Sequence, residues 1–349
     1  MCVGNIAAMT PRRRIIPVFV PHLGCPNACV FCNQRRISGS QTPATAETVV
    51  QSIKAAQSVL PVGTMAELAF YGGSFTAIPL QEQESLLSAA LPFLIRGDLS
   101  GVRISTRPDA ITQPILEFLK RYHVQTIELG SQSMIDAVLQ RSERGHTAQD
   151  TVDAARLIRG NGFQLILQMM TGLPGDSPEG AIETARRIIA LNPDGVRIYP
   201  TVIVRDTPLY DQWKAGIYAE HTVEDAVSLC GRLLPMFEEV GIPVIRLGLN
   251  PTDALSGGDA VGGAYHPAFG ELVHSRILLE RARKQLQFLH VPAESSIVLG
   301  VHKRQVSAMV GQHRCNLMAL QSEFDLRSVQ VCPAEVKIGK ILVQDIAKD

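Results

Sequence analysis

Aromatic residues are scarce in this chain, 5% of 349 residues with a single Trp, and neither charge is in surplus, with 33 Lys plus Arg against 33 Asp plus Glu. The balance excludes a molecule-wide field that would draw in nucleic acid, so any such binding has to be local. Long apolar runs are also missing. The longest, such as Phe163 to Met170, fall far short of the ~20 residues of a membrane span, and the N-terminus lacks a signal-peptide core. Cysteine occurs seven times, an odd count that does not close into a disulfide framework. A cytoplasmic protein is expected, with Cys2, Cys230, Cys315 and Cys332 as reduced thiols. At 46% hydrophobic and 19% charged residues, the chain is globular and long enough to bury a sizeable core.

The remaining cysteines, Cys25, Cys29 and Cys32, are spaced C-x3-C-x2-C directly after the strand-like run Ile15 to Val20. Three thiolates on one short loop can each hold an iron of a 4Fe-4S cluster, and they leave the fourth iron open to another molecule. The same loop with His22 makes a three-Cys, one-His set for structural zinc, although such sites usually come as two separated ligand pairs and no second pair is present.

From Ile15 to about Val204, short β-branched runs alternate with helix-period segments, which predicts repeated βα units around a parallel sheet. Strands are expected near 15–20, 67–71, 102–106, 124–129, 164–170 and 195–199. Helices are expected near 45–58, 79–95, 112–121, 133–140, 147–160 and 178–191, with Thr112 and Ser177 as N-caps before Pro114 and Pro178. Six such units make either a doubly wound sheet or a partial barrel. The unusual loops help to decide, because each follows a strand, where barrels build their active sites. They are Tyr71 to Phe75 (YGGSF), Ser105 to Asp109 (STRPD), Glu128 to Ser133 (ELGSQS) with Arg144 to Thr147 (RGHT), Thr171 to Asp176 (TGLPGD) and Tyr199 to Thr201 (YPT).

The cysteine spacing with Phe31 before the last cysteine, and these segments in this order, resemble the radical S-adenosylmethionine (radical SAM) superfamily, in particular the radical SAM domain of the Elongator catalytic subunit over about residues 15 to 240. In that family the open iron chelates the amino and carboxylate groups of S-adenosylmethionine, and an electron from the cluster cleaves the sulfonium to give a 5'-deoxyadenosyl radical. The resemblance implies that Cys25, Cys29 and Cys32 ligate the cluster and that Phe31 lies against the adenine. It further implies that Gly72 and Gly73 offer backbone contacts to the methionyl amino group, and that Gln132 and Arg144 contact the ribose and carboxylate. For Glu128 and Arg107 a structural ion pair inside the barrel is an equal alternative to ligand contact. The cluster spacing is shorter than in the Elongator subunit, and the 99 residues after Asn250 hold no acetyltransferase-like glycine loop, so carboxymethylation is not implied.

The expected organisation is an N-terminal extension 1–14, a partial (β/α)6 TIM-like barrel 15–250, a glycine-rich loop and helical segment 251–291, and a small C-terminal α/β domain 292–349. Gly257, Gly258, Gly262 and Gly263 suit a lid or a plain linker, with Tyr265 and His266 at its end as potential proton donors. From Ser296 to Val331 the order strand, short helix, glycine turn, helix, strand resembles the core of a KH domain, whose GxxG loop clamps nucleic-acid backbone. Here Arg314 stands at the fourth loop position, and the near absence of aromatics leaves no base-stacking platform. Local basic patches lie at Arg12 to Arg14 and from His302 to Arg314. These features together predict a radical SAM enzyme abstracting hydrogen from a substrate, most simply tRNA, with an electron donor such as ferredoxin or flavodoxin. The rivals are a radical SAM enzyme acting on a small metabolite or protein side chain, and a non-catalytic RNA-binding protein with structural zinc.

Overall fold

The structure, a computed structural model, describes residues 14–20, 25, 29–38, 44–61 and 64–345. Cys2, Arg12, Arg13, His22 and nearly all of the expected N-terminal extension lie outside the described residues. Six strands form where the β-branched runs place them: β1 Arg14–Phe19, β2 Ala66–Tyr71, β3 Leu99–Thr106, β4 Val124–Gln132, β5 Gln164–Thr171 and β6 Gly195–Pro200. After the short β7 (Val202–Val204) comes β8 (Val244–Leu247), which adds a seventh member. The result is one parallel sheet in the order β1-β2-β3-β4-β5-β6-β8.

Between the strands run α1 Gln34–Ser38, α2 Ala46–Val59, α3 Leu80–Ile95, α4 Gln113–Arg121, α5 Asp136–Arg141, α6 Ala148–Gly160, α7 Pro178–Ala190, α8 Pro208–Lys214 and α9 Val223–Glu239. Side-chain caps start several of them: Thr147 with Asp150 and Thr222 with Asp225 form capping boxes, and Ser177 accepts from the Gly180 amide with Pro178 following it. Thr112 occupies the expected N-cap position, but its hydroxyl makes no capping bond.

The two-residue period of the strands separates two faces. Leu68, Phe70, Ile104, Ile127, Leu129, Leu165, Leu167 and Ile198 are fully buried against helix residues such as Leu87, Leu116, Leu119, Ile158 and Ile188. Each such side chain contributes about 1.5–3 kcal/mol relative to exposure. The opposite face carries Glu67, Tyr71, Arg103, Glu128, Gln168 and Arg197. Arg197 of β6 donates to the Tyr71 hydroxyl of β2 at 2.9 Å, although the two strands are four places apart in the sheet. A flat sheet would separate them by roughly 19 Å. The sheet is therefore curled into a partial barrel with a polar lumen.

The glycine-rich run is neither a free lid nor a plain linker. Leu255–Asp259 forms a helical turn with Gly258 at φ +112°, and β9 (Ala260–Gly263) pairs antiparallel with β7. Arg36 of α1 ties it down by pairing with both Asp206 and Asp259. Tyr265 is engaged by the Ser256 hydroxyl at 2.8 Å, and His266 Nδ1 accepts the Ala268 amide, so both serve this local structure.

Helix α10 (Phe269–Phe288) joins two cores: Phe269, Val273 and Ile277 pack into the barrel, while Leu278, Ala282 and Leu286 pack with Ile297, Leu299, Leu317 and Leu320. That second core belongs to a small α/β domain made of β10 Ser296–Val301, α11 Val306–Val310, α12 Cys315–Glu323, β11 Ser328–Pro333 and β12 Ile341–Asp345, in the sheet order β11-β10-β12. In its glycine turn, Gly311 (φ +76°) is followed by His313 and Arg314, both left-handed at +51° and +63°. Arg314 thus adopts backbone geometry that glycine occupies without strain. Cys230, Cys315 and Cys332 are free thiols, and among the described residues no helix is long and apolar enough to cross a membrane.

Candidate functional site

The strand-end loops meet at one mouth. The segment after Cys29 is held from two sides: the Val30 amide donates to the Ser142 carbonyl at 3.2 Å, and the Val30 carbonyl accepts the Leu209 amide at 2.8 Å. The Cys32 amide closes a turn onto the Cys29 carbonyl at 3.0 Å. Cys29 is buried, and Cys25 and Cys32 are half-buried. Burial raises the Cys25 pKa, with the neighbouring Cys29 adding to it, while Arg144, Arg107 and the Ser74 amide oppose the rise. Cys32 is pushed up to about 12, chiefly by burial and then by Cys29. The three thiols thus share one field, in which each thiolate penalises the next and a cationic centre would relieve all of them.

Around them lies a set of donors that are only partly used. Arg144 donates from Nη1 to Cys29 Sγ at 3.4 Å and from Nη2 to the Gly130 carbonyl at 2.9 Å, and its buried Nε has no partner among the described residues. Gly130 makes this possible, since a Cβ there would lie 2.8 Å from both Arg144 Nη2 and Gln132 Nε2. Gln132, in a left-handed conformation at φ +63°, accepts from Gln168 Nε2 through Oε1 at 3.1 Å. Arg107 pairs with Asp109, and among the described residues its Nη1, Ser131 Oγ and His146 Nδ1 have no partner. His146 is lowered to about 4 by burial and then by the Arg144 and Arg107 cations.

Phe31 packs half-buried in an apolar collar with Val138, Met170, Leu173, Ile135 and Tyr199. Gly72 sits at φ +91°, where a side chain is strained, and Gly72 and Gly73 lead into a loop fixed from β3. There the Thr106 hydroxyl meets Ser74 Oγ at 3.0 Å and Thr76 Oγ1 at 2.7 Å. Gln132 and Arg144 converge over Gly130, and Arg144 reaches the cysteine loop. The Ser74, Thr76 and Thr106 hydroxyl cluster escaped the sequence reading, since nothing in the STRPD or GGSF strings shows that they interlock.

Of the two alternatives for Glu128 and Arg107, the mutual ion pair does not form. Glu128 instead accepts from Arg103 at 2.7 Å, pairs with Arg197 Nε at 2.7 Å and accepts the Tyr71 hydroxyl at 3.1 Å, while Arg103 also pairs with Glu67 at 2.8 Å. Arg107 follows β3 at its end and turns to Asp109, two residues on, whereas Arg103 and Arg197 share the lumen face with Glu128.

The donor chemistry fits a cluster-bound amino-acid cofactor. Three thiols on one loop stand beside an arginine whose buried Nε has no partner among the described residues, a donor suited to a carboxylate. Among the described residues, these three cysteines included, no group of three His, Cys, Asp or Glu is gathered closely enough to hold a metal ion, so the fit rests on the chemistry of the donors and their shared loop.

The Radical SAM superfamily model matches residues 19–188, and the Radical_SAM C-terminal domain model matches residues 193–278. Elongator complex protein 3 of Homo sapiens is 34% identical over 139 residues, which are 39% of this chain and 25% of that protein. The tRNA uridine(34) acetyltransferase of Methanocaldococcus jannaschii is 27% identical over 183 residues, 47% of this chain and 34% of that protein. The matched stretch thus spans a quarter to a third of these relatives. The archaeal Methanocaldococcus infernus Elp3 with an N-terminal deletion superposes with TM-score 0.59 at 20% identity, covering 80% of this chain and 64% of that one, a likeness of fold.

Proposed function

This chain belongs to the radical SAM superfamily, whose enzymes use a 4Fe-4S cluster and S-adenosylmethionine, and we propose that it abstracts a hydrogen atom from tRNA at the barrel mouth. One observation carries the reading: Arg144 bridges Cys29 and the end of β4 with a buried N–H to spare, so the thiol loop and a carboxylate donor are built into one unit. When bound, the cluster and S-adenosylmethionine supply a 5'-deoxyadenosyl radical.

The chain's own residues do the rest. Cys25, Cys29 and Cys32 hold the cluster, and Arg144 both lowers the energy of the thiolates and meets the carboxylate. Gln132 takes the ribose, the backbone of Gly72 and Gly73 takes the amino group, and Phe31 with its collar covers the adenine and excludes water. The relatives named for Elongator and for a tRNA uridine acetyltransferase support tRNA as substrate. The strand–helix–helix–strand order of the C-terminal domain, with the exposed Lys303, Arg304, His313 and Arg314, supports a KH-like surface for its backbone. A cytoplasmic setting with a ferredoxin or flavodoxin as donor suits a low-potential cluster.

The test is anaerobic reconstitution with iron and sulfide, followed by reduction and measurement of 5'-deoxyadenosine with and without tRNA, for wild type and Cys29→Ala. Stimulation by tRNA and a new nucleoside mass in the digested tRNA are expected for wild type alone. Cleavage that ignores tRNA, with unchanged nucleosides, would place the substrate elsewhere. Zinc in place of iron, with S-adenosylmethionine left intact, would sink the enzymatic reading.

A further inference from the structure

The lumen charges form an alternating series with one member left over. Glu67 pairs with Arg103, Arg103 with Glu128, and Glu128 with Arg197, so two carboxylates balance two guanidinium groups. Arg246 of β8 stands in register with Arg197 on the neighbouring parallel strand, and their side chains therefore rise from the same face. Its Nε donates to the Gly248 carbonyl at 3.0 Å, and among the described residues no acidic side chain pairs with it.

Arg246 is half-buried, so the lack of a counter-ion is costly at rest and is relieved by an incoming anion. Burial lowers its pKa, the Arg197 cation lowers it further, and Tyr199 opposes both. Arg197 Nη1 donates to the Tyr199 hydroxyl at 3.2 Å, and Tyr199 in turn belongs to the apolar collar around Phe31. The uncompensated cation is therefore continuous with the mouth that holds the cysteines.

We propose that Arg246, backed by Arg197 and Tyr199, is a lumen subsite for an anionic group of the substrate, a phosphate ester. The choice of phosphate rests on the tRNA reading; the anion site rests on the charge arrangement alone. Arg246 offers its terminal N–H groups as a fork matched to two phosphate oxygens. Arg197 is already neutralised by Glu128 and adds donors without adding net charge.

The experiment is calorimetric titration of the reconstituted protein with uridine 5'-monophosphate, uridine and inorganic phosphate, for wild type, Arg246→Gln and Arg246→Lys, with thermal midpoints recorded for each. Wild type is expected to bind the monophosphate at least about tenfold tighter than uridine, as befits a charge-assisted pair. Inorganic phosphate should compete for the site. Arg246→Gln should reduce the preference to under about threefold, and Arg246→Lys should fall between the two, since the point charge is retained and the bidentate fork is lost. Equal binding of uridine and its monophosphate to wild type, no phosphate-dependent binding at all, or a preference that survives in a folded Arg246→Gln would overturn the subsite. If inorganic phosphate binds as tightly as the monophosphate and depends on Arg246, the anion subsite stands and the nucleotide substrate falls.

Discussion

Replacing Glu128 with Gln tests whether the lumen network holds the barrel closed. Glu128 is 3% exposed, and the Arg197 side chain that depends on it is 12% exposed, so solvent screens this pair little. The substitution keeps the shape and one acceptor but removes the charge. Arg103 retains Glu67 at 2.8 Å, while Arg197 is left with two tyrosine hydroxyls, Tyr71 at 2.9 Å and Tyr199 at 3.2 Å. One largely buried cation therefore loses its counter-ion, a change that costs about 3–5 kcal/mol, and the remaining hydroxyl acceptors favour the lower end. For a barrel of this size, about 3 kcal/mol lowers the thermal midpoint by roughly 6–12 °C.

Calorimetry or far-ultraviolet circular dichroism melts at neutral pH read this directly. The double variant Glu128→Gln with Arg197→Gln should be less destabilised than the sum of the two singles, because the orphaned cation is gone. Asp153→Asn is the control: its partner Arg156 is 76% exposed and the pair contributes within about 0.5 kcal/mol. A loss below about 1 kcal/mol for Glu128→Gln, or strict additivity in the double variant, would refute the idea that this network is a coupled element of stability.

Gly130→Ala should cost stability about 1 kcal/mol or less, because its Cβ crowds only the side-chain ends of Arg144 and Gln132 and meets the Thr106 carbonyl at an ordinary 3.7 Å, yet lower S-adenosylmethionine cleavage at least about tenfold by moving Arg144. Gly172→Ala should destabilise by more than about 2 kcal/mol, since Gly172 is left-handed at φ +72° and a Cβ would land on the His221 side chain; an unchanged melt would contradict this. Burial raises Asp176 from 3.8 to about 6, so the native state holds an extra proton between about pH 4 and 6 and stability falls as pH rises through that window. His146, lowered from 6.5 to about 4, does the reverse, losing stability as pH falls from about 6.5 to 4. The two oppose each other in wild type, and Asp176→Asn should steepen the rise of stability with pH in melts across that range, with His221 and His274, also lowered by burial, adding to the His146 slope.

Much of the barrel was legible because its outer face is apolar at every second strand position, and burial under helices is what the alternation encodes. The strands expected near 124–129 and 164–170 and the helices expected near 147–160 and 178–191 followed from that period and from caps such as Ser177, and they form at 124–132, 164–171, 148–160 and 178–190. Strand β8 was missed because it is four residues long and offers no run to count, and β12 lies beyond the segment whose pattern was read. The lumen resisted for another reason. Glu128 finds Arg197, 69 residues away, only because the sheet curls, and no local pattern in either segment records that curvature. The Arg107 alternative failed on the same point, since a guanidinium at the strand end is already met by Asp109.

The inner face is stratified in a way that bears on the chemistry. Near the strand ends Phe31, Val138, Met170 and Leu173 form an apolar collar beside the cysteine loop, and lower in the lumen Glu67, Arg103, Glu128 and Arg197 form a charged floor. An apolar collar suits a reactive intermediate that water would quench, while a floor of paired charges has no apolar substrate to welcome. Tyr199 spans the two layers, its ring in the collar and its hydroxyl bonded to Arg197. A substrate that satisfies both must present a C–H group above and a polar or anionic group below. A phosphorylated nucleoside, the substrate class proposed above, has that division built in, with Arg246 placed for its anionic group and the collar at Phe31 for its C–H face.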